Sequence, residues 1–268
     1  MHMENSKPLI FVVGDFGAGD LAFAEIKRKL RISAGSVDMD YVTVEAFSTI
    51  STGFCIYQLA LDGSEKELGD TYIFSNTAPR ADNPNPRKKN EGERLVYARL
   101  DTGLEVVAVL SGYTFSFIKP MIRELRYLNV ENMGSQFRSR DKYPEPLSKV
   151  IHKDYSVLGE KLDAAELPEP PRDRLAYVDG YGNMKLSTRS SDLTIGTGSD
   201  IEIEAGGVSL QGRYAEGMFS VKEGDISVAP GSSGPEGDRF IEISVRLGNA
   251  WKRFGCPKIE ERVTFTQI

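Results

Sequence analysis

Leu9-Ile10-Phe11-Val12-Val13-Gly14-Asp15-Phe16-Gly17-Ala18-Gly19-Asp20 is the stretch on which the fold turns. Five apolar residues between Pro8 and Gly14 predict a strand buried on both faces, and the glycines after them predict a tight turn. Leu21, Ala24, Ile26 and Leu30 then recur at helical spacing, with Asp20 placed to accept from the first unpaired amides of a helix. Strand, turn and helix in that order open an α/β fold. The spacing Gly14-x-x-Gly17-x-Gly19 is not the dinucleotide-binding fingerprint. Asp15 is the residue to watch. It follows the carboxyl end of a strand, where open α/β sheets bind ligands, and a carboxylate there can accept both hydrogen bonds of a ribose diol.

Further along, Val37 to Val44 and Thr71 to Phe74 are strand candidates, and Gly53 to Leu61 is an apolar helix candidate. Leu95 to Leu100 and Glu105 to Leu110 predict a hairpin across Asp101-Thr102-Gly103. Pro120 to Tyr127 and Glu145 to Leu162 are assigned as helices. The polar, proline-punctuated run from Asn76 to Arg87 predicts a fixed loop at a strand end. Stacked prolines in Leu167-Pro168-Glu169-Pro170-Pro171-Arg172-Asp173-Arg174 predict a stiff linker over 167–174. Before it lies an α/β domain, 7–166, with a mostly parallel sheet and flanking helices. After it, 175–268, the period changes to two in Ile201-Glu202-Ile203-Glu204 and Phe240-Ile241-Glu242-Ile243-Ser244-Val245. Turn signals at Gly206-Gly207, Glu223-Gly224-Asp225 and Gly231-Ser232-Ser233-Gly234 complete an all-β pattern, a sandwich or a barrel.

Composition narrows the function classes. A chain of 268 residues, 40% hydrophobic and 27% charged, is long enough for two cores. Its net charge of −6 argues against a general nucleic-acid binder, despite the small basic clusters Arg87-Lys88-Lys89 and Arg138 to Lys142. No run approaches a membrane span, and Met1 to Asn5 lacks the pattern of a signal peptide. Cys55 and Cys256 are too far apart for a metal-like spacing, so neither a disulfide scaffold nor a zinc site is expected, no metal or cofactor is called for, and the cytoplasm is the expected compartment. Only His2 and His152 are available as imidazole bases, and His152, beside Lys153 and Asp154 in an assigned helix, is expected to be an ordinary surface residue.

The order of four short segments carries a family resemblance. They are Val13-Gly14-Asp15-Phe16-Gly17-Ala18-Gly19-Asp20, Val178-Asp179-Gly180-Tyr181-Gly182-Asn183-Met184, Ala229-Pro230-Gly231-Ser232-Ser233-Gly234 and Val245-Arg246-Leu247-Gly248-Asn249-Ala250. In that order across nearly the whole chain, they resemble the S-adenosylmethionine hydroxide adenosyltransferases, a family that includes the fluorinases and chlorinases. The resemblance implies an N-terminal α/β domain, a C-terminal β barrel and a homotrimer with each site between neighbouring subunits. It implies that Asp15 takes the ribose hydroxyls and Phe47 lines the adenosine pocket. Asp179 would meet the methionine ammonium, Asn183 the adenine edge, and Ser232 or Ser233 the methionine carboxylate, with the backbone of Asn249-Ala250 also reaching adenine. Phe16 and Tyr181 belong to the same motifs and complete the binding set. The implied chemistry is attack of water or halide on the 5′ carbon of S-adenosylmethionine, expelling methionine, with the protein orienting a desolvated nucleophile.

The chain departs from that pattern where the reaction would occur. Asn76, in Asn76-Thr77-Ala78-Pro79-Arg80, stands where the family has an aspartate, and Arg138 stands where it has a histidine. An amide orients water without accepting its proton, and a guanidinium stays protonated. Asn76, Arg80 and Arg138 are therefore the candidate reaction residues, with Asp82 and Arg87 as further polar groups. Leu110-Ser111-Gly112-Tyr113 likewise replaces the family's Pro-Asp-Asn-Gly. Two functions follow as expectations: an enzyme acting on S-adenosylmethionine or a related 5′-substituted adenosine, or a catalytically silent binder of such compounds. A structural protein that keeps only the fold is a third.

Overall fold

The computed structural model describes residues 7–17, 19–61, 70–79, 85–131 and 133–268. The chain divides between Glu169 and Pro170, inside the proline-rich stretch, into two compact units, Met1–Glu169 and Pro170–Ile268.

In the first unit, β1 (Leu9–Gly14) pairs in parallel with β2 (Asp38–Thr43) on one side and β3 (Thr71–Asn76) on the other. β3 continues in parallel to β5 (Glu105–Val109), which turns back through the expected hairpin to β4 (Leu95–Leu100). β4 then pairs antiparallel with β6 (Ile122–Leu128), and β6 with β7 (Leu158–Lys161). The sheet of seven strands is thus mixed: parallel in its first half and antiparallel beyond β5. Helix α1 (Leu21–Ala34) starts as expected, its Asp20 carboxylate accepting the Ala22 amide at 2.7 Å. Its buried side, Phe23, Ile26, Leu30 and Ala34, packs with the Ile10, Val12, Tyr72 and Phe74 side chains of the strands and with Leu147, Val150 and Ile151 of α4 (Pro144–Ile151). Helix α2 (Thr49–Leu61) starts a turn earlier than its apolar stretch suggests and is buried almost all round. Gly53 admits the close approach of the 113–117 segment, since a Cβ there would lie 2.4 Å from the Tyr113 carbonyl.

Two assigned helices are strands or partly so. Pro120 to Tyr127 forms only a single turn at Lys119–Met121 before β6. The helix-forming Arg, Glu and Leu of this segment are overridden by the open edge of β4, against which Val96 aligns with Tyr127 and Ala98 with Leu125. The long helix assigned to Glu145–Leu162 stops at Ile151. Lys153 takes a left-handed φ of 59°, a 3-10 turn spans Tyr155–Val157, and β7 follows. That break is fixed by Glu105, nearly fully buried at the start of β5: its carboxylate accepts Tyr155 Oη at 2.6 Å and Tyr97 Oη at 3.1 Å, and pairs with Lys153 Nζ at 3.4 Å. His152, the C-cap of α4, is exposed, with its ring beside the Ser148 carbonyl.

The second unit holds a separate sheet of seven strands in the order β14-β10-β11-β12-β13-β9-β8. These are β8 (Leu175–Val178), β9 (Met184–Arg189), β10 (Asp200–Ala205), β11 (Val208–Tyr214), β12 (Ile226–Pro230), β13 (Phe240–Val245) and β14 (Val263–Gln267). The pairings are antiparallel except β11 with β12. Alternate residues such as Met184, Leu186, Ile201, Ile203, Ile241 and Ile243 fill one core with Phe254 and Val263. The first and last strands also meet: the Leu175 amide donates to the Glu261 carbonyl at 2.9 Å and the Val263 amide to the Asp173 carbonyl at 2.9 Å.

Among the described residues no helix is long and apolar enough to cross a membrane, and no group of three His, Cys, Asp or Glu is placed to hold a metal ion.

Candidate functional site

Within the first unit, the carboxyl ends of the parallel strands form a polar rim. Gly14 of β1 aligns with Thr43 of β2 and with Asn76 of β3, so the residues that follow each strand emerge side by side. Asp15 Oδ2 accepts the Phe47 amide at 3.0 Å, and the Val44 amide donates to the Gly14 carbonyl at 3.0 Å. Phe47 takes a left-handed φ of 66° and is 49% exposed. A bulky residue is strained in that conformation, and the Asp15 carboxylate holds it there through the backbone amide. The two residues are thereby brought together. Phe16 folds back across Gly14, where a Cβ would meet its ring at 3.0 Å, and packs edge-on against Phe23 and Phe137. Its ring joins the turn to α1 and to the residue that precedes α3 (Arg138–Asp141).

Asn76 meets α3, through Ser139 and not through Arg138. Asn76 Nδ2 donates to the fully buried Ser139 Oγ at 3.2 Å. Arg138 instead turns toward a cleft of about 320 Å³ lined by Asn85, Arg87, Glu93 and Gln136. Its Nη1 donates to the Asn90 carbonyl at 3.2 Å, and the guanidinium lies on Gly92, where a Cβ would sit 1.9 Å from Nη2. Its buried Nε has no acceptor among the described residues. Burial pushes the neighbouring Tyr143 phenol up, and the Arg138 charge partly opposes this. Next to it, hydrogen bonds from Arg140 and Ser135 hold the Asp141 carboxyl below the usual range. Ser75 Oγ and Thr77 Oγ1, on either side of Asn76, are buried without a partner among the described residues. Arg80 and Asp82 lie outside the described residues.

In the second unit the turn from β8 to β9 is self-contained. Asp179 Oδ1 accepts the Tyr181 amide at 2.9 Å and the Asn183 amide at 3.0 Å, and Oδ2 accepts Asn183 Nδ2 at 3.0 Å. A carboxylate only accepts, so the Asn183 amide nitrogen must face it and the Asn183 oxygen is left as an acceptor. Gly182, at φ 84°, lies against Asn249, and its carbonyl accepts the Trp251 amide at 2.9 Å. Asn249 in turn caps α5 (Ala250–Arg253), accepting the Lys252 amide at 2.7 Å. Asp179, Tyr181, Asn183, Asn249 and Ala250 are therefore one cluster, from which Tyr181 projects 81% exposed.

Ser232 and Ser233 sit on the β12–β13 loop, where Arg239 Nη1 donates to the Ser232 and Gly234 carbonyls. Beneath them is a residue the sequence reading missed. Lys185, only 8% exposed, donates to Ser232 Oγ at 2.9 Å and to Glu242 Oε2 at 2.5 Å. An ammonium cannot accept, so it leaves the Ser232 hydroxyl proton to point elsewhere. The one signal for it is a lysine between Met184 and Leu186, two residues after Asn183 along the same strand and turn. Ser139 had no comparable signal within its polar run.

No protein-family model and no curated protein matches the chain. Several solved structures share its fold, two of them over nearly the whole chain. One is an uncharacterized conserved protein from Thermotoga maritima, with a TM-score of 0.73 and 17% identity over 96% of this chain and 100% of that one. The other is a conserved hypothetical protein from Thermus thermophilus, with a TM-score of 0.65 and 17% identity over 97% of this chain and 100% of that one. At that identity the likeness establishes a shared architecture across both units and says nothing of chemistry.

Proposed function

We propose that the chain binds S-adenosylmethionine or a related 5′-substituted adenosine and directs a nucleophile, water or another, onto its 5′ carbon, releasing methionine and adenosine or a 5′-substituted adenosine. The observation that carries this reading is the Asp15–Phe47 bond: a carboxylate and a half-exposed phenylalanine, 32 positions apart, are tied together at the carboxyl ends of the parallel strands. A diol acceptor with an aromatic residue suits a nucleoside. The second cluster supplies an acceptor for the adenine amino group in Asn183, and Ser232 supplies a donor for a carboxylate. We further propose that the bonds joining the first and last strands close the second sheet as a barrel, that three subunits assemble so that each rim meets a neighbour's Asp179 cluster, and that the protein works in the cytoplasm. The unpaired state of Cys55 and Cys256 fits that compartment.

The proposed reaction residues are Asn76, whose amide holds Ser139, with Arg80 and Arg138. They can orient a nucleophile but not deprotonate it. Mass spectrometry of protein incubated with S-adenosylmethionine tests the reaction. Methionine with adenosine, or with a substituted adenosine, above a heat-killed control is the expected result, and none would end the catalytic reading.

A second reading is a silent binder of the same compounds. It is favoured by Arg138, which is engaged with Asn90 and Gly92 instead of facing Asn76. Calorimetric titration would then show binding without turnover, weakened by Asp15→Ala and Asp179→Ala, and unchanged affinity in both variants removes the proposed pocket.

A further inference from the structure

We propose that the second unit carries another ligand site, lined by other residues than those above, for a phosphate-bearing small molecule with a flat ring. β11 and β12 pair only at Arg213 with Ser227 and Tyr214 with Val228, and away from that point the two strands part. Where they part there is a cleft of about 680 Å³, lined by β11, by residues 219–226 and by Arg246 and Arg253. None of its lining residues belongs to the Asp179 or Ser232 clusters.

The charge in the cleft is opposite to that of the chain. Arg246 Nη1 donates to the Val221 carbonyl at 2.7 Å, and Arg253 Nη1 to the Gly224 carbonyl at 2.5 Å. Neither guanidinium has a carboxylate partner among the described residues, and neither does Lys222. Arg213, by contrast, is neutralised by Asp200 at 2.9 Å. Of the charged side chains that line the cleft, three cations outside any ion pair among the described residues thus stand against one such carboxylate, Asp225, in a chain of net charge −6. Anchoring one nitrogen of each guanidinium on a backbone carbonyl fixes its plane, and the remaining N–H groups keep the fork geometry that suits phosphate oxygens. The ordering cost of those two long side chains is already met in the folded chain, which favours binding.

The rim carries the second half of the ligand. Phe219 is 81% exposed and Ile268 is 60% exposed, and both line the cleft. An aromatic face beside an arginine cluster is a platform on which a heterocycle stacks while its phosphates reach the cations.

Calorimetric titration of the full chain carrying Asp15→Asn, which weakens the proposed adenosine pocket, separates the two sites. The probes are ADP, pyrophosphate and adenosine. ADP is expected to bind with at least tenfold higher affinity than either of the others, with an affinity that falls as salt rises. Lys222→Ala with Arg253→Gln should cut ADP affinity tenfold or more. Phe219→Ala should reduce ADP to the level of pyrophosphate and leave pyrophosphate unchanged. Lys222→Ala alone, at an exposed position, should lower ADP affinity several-fold and serves if the arginine variant misfolds. The inference is overturned if ADP does not bind, or if its affinity is the same in Lys222→Ala and Phe219→Ala as in the parent.

Discussion

Asp15 accepts the Phe47 amide through Oδ2, so it both shapes the rim and presents a charge there. Asp15→Asn keeps the side chain's size while removing the charge that a ribose diol would bond. Hydrogen bonds to a charged group contribute about 2 kcal/mol each, so affinity for an adenosine compound should fall at least tenfold by calorimetry. An unaltered affinity would place the diol elsewhere. Lys185 makes a different kind of prediction. Its ion pair with Glu242 is largely out of solvent, the two side chains being 11% and 18% exposed. Lys185→Met leaves that carboxylate uncompensated and should cost about 2–3 kcal/mol in urea unfolding. The double variant with Glu242→Gln should recover most of the loss, and failure to recover would mean that packing, not charge, sets the cost.

At the scale of elements, two turns explain where the chain changes direction. The β8–β9 turn is closed by Asp179 from within and by Asn249 from outside, with Gly182 at φ 84° between them. Gly182→Ala needs a left-handed alanine whose Cβ would collide with the Asn249 amide. It should destabilise the second unit by more than about 1 kcal/mol and displace Asn249 from the cap of α5. A thermal midpoint equal to that of the parent would refute this packing. The break after α4 depends on Glu105. Burial, then the hydrogen bond to Glu105, pushes the Tyr155 phenol up to about 12, and burial with the Glu105 charge pushes Tyr97 up as well. A pKa raised in the folded state stabilises fully below the unfolded value near 10 and is lost as pH rises through the folded value. Stability should therefore decline between about pH 10 and 12, and Tyr155→Phe should flatten that decline in denaturant titrations. Parallel curves for the two proteins would show that Tyr155 is not the linked group.

For the whole molecule, the boundary at Glu169–Pro170 predicts independence of the second unit. Each side has its own buried cluster, and the strands of each sheet pair only within their unit. A chain of residues 170–268 should fold alone, with a strand-type circular dichroism spectrum and a cooperative melt. A non-cooperative melt would show that the first unit is needed to complete the core.

The sequence by itself determined the elements whose cause is local. The run Leu9–Val13 with Asp20 and α1, the hairpin at Asp101–Gly103, the prolines of 167–174 and the period of two after them all act within a few residues. Their periodicity and capping chemistry were therefore legible. Glycine-rich turns also drew attention to Asp15, Asp179 and Asn183, and their hydrogen bonds to Phe47, to Tyr181 and to one another came from the fold. Only the tertiary structure decided the rest. It made a strand of Ile122–Leu128 because pairing with the open edge of β4 outweighs helix propensity, and it ended α4 early because a buried Glu105 draws Tyr155 and Lys153 to itself. It paired Asn76 with Ser139 across 63 positions and set Lys185 beneath Ser232 across 47. Such partners have no periodicity for a sequence to display, since they meet only when separate elements pack.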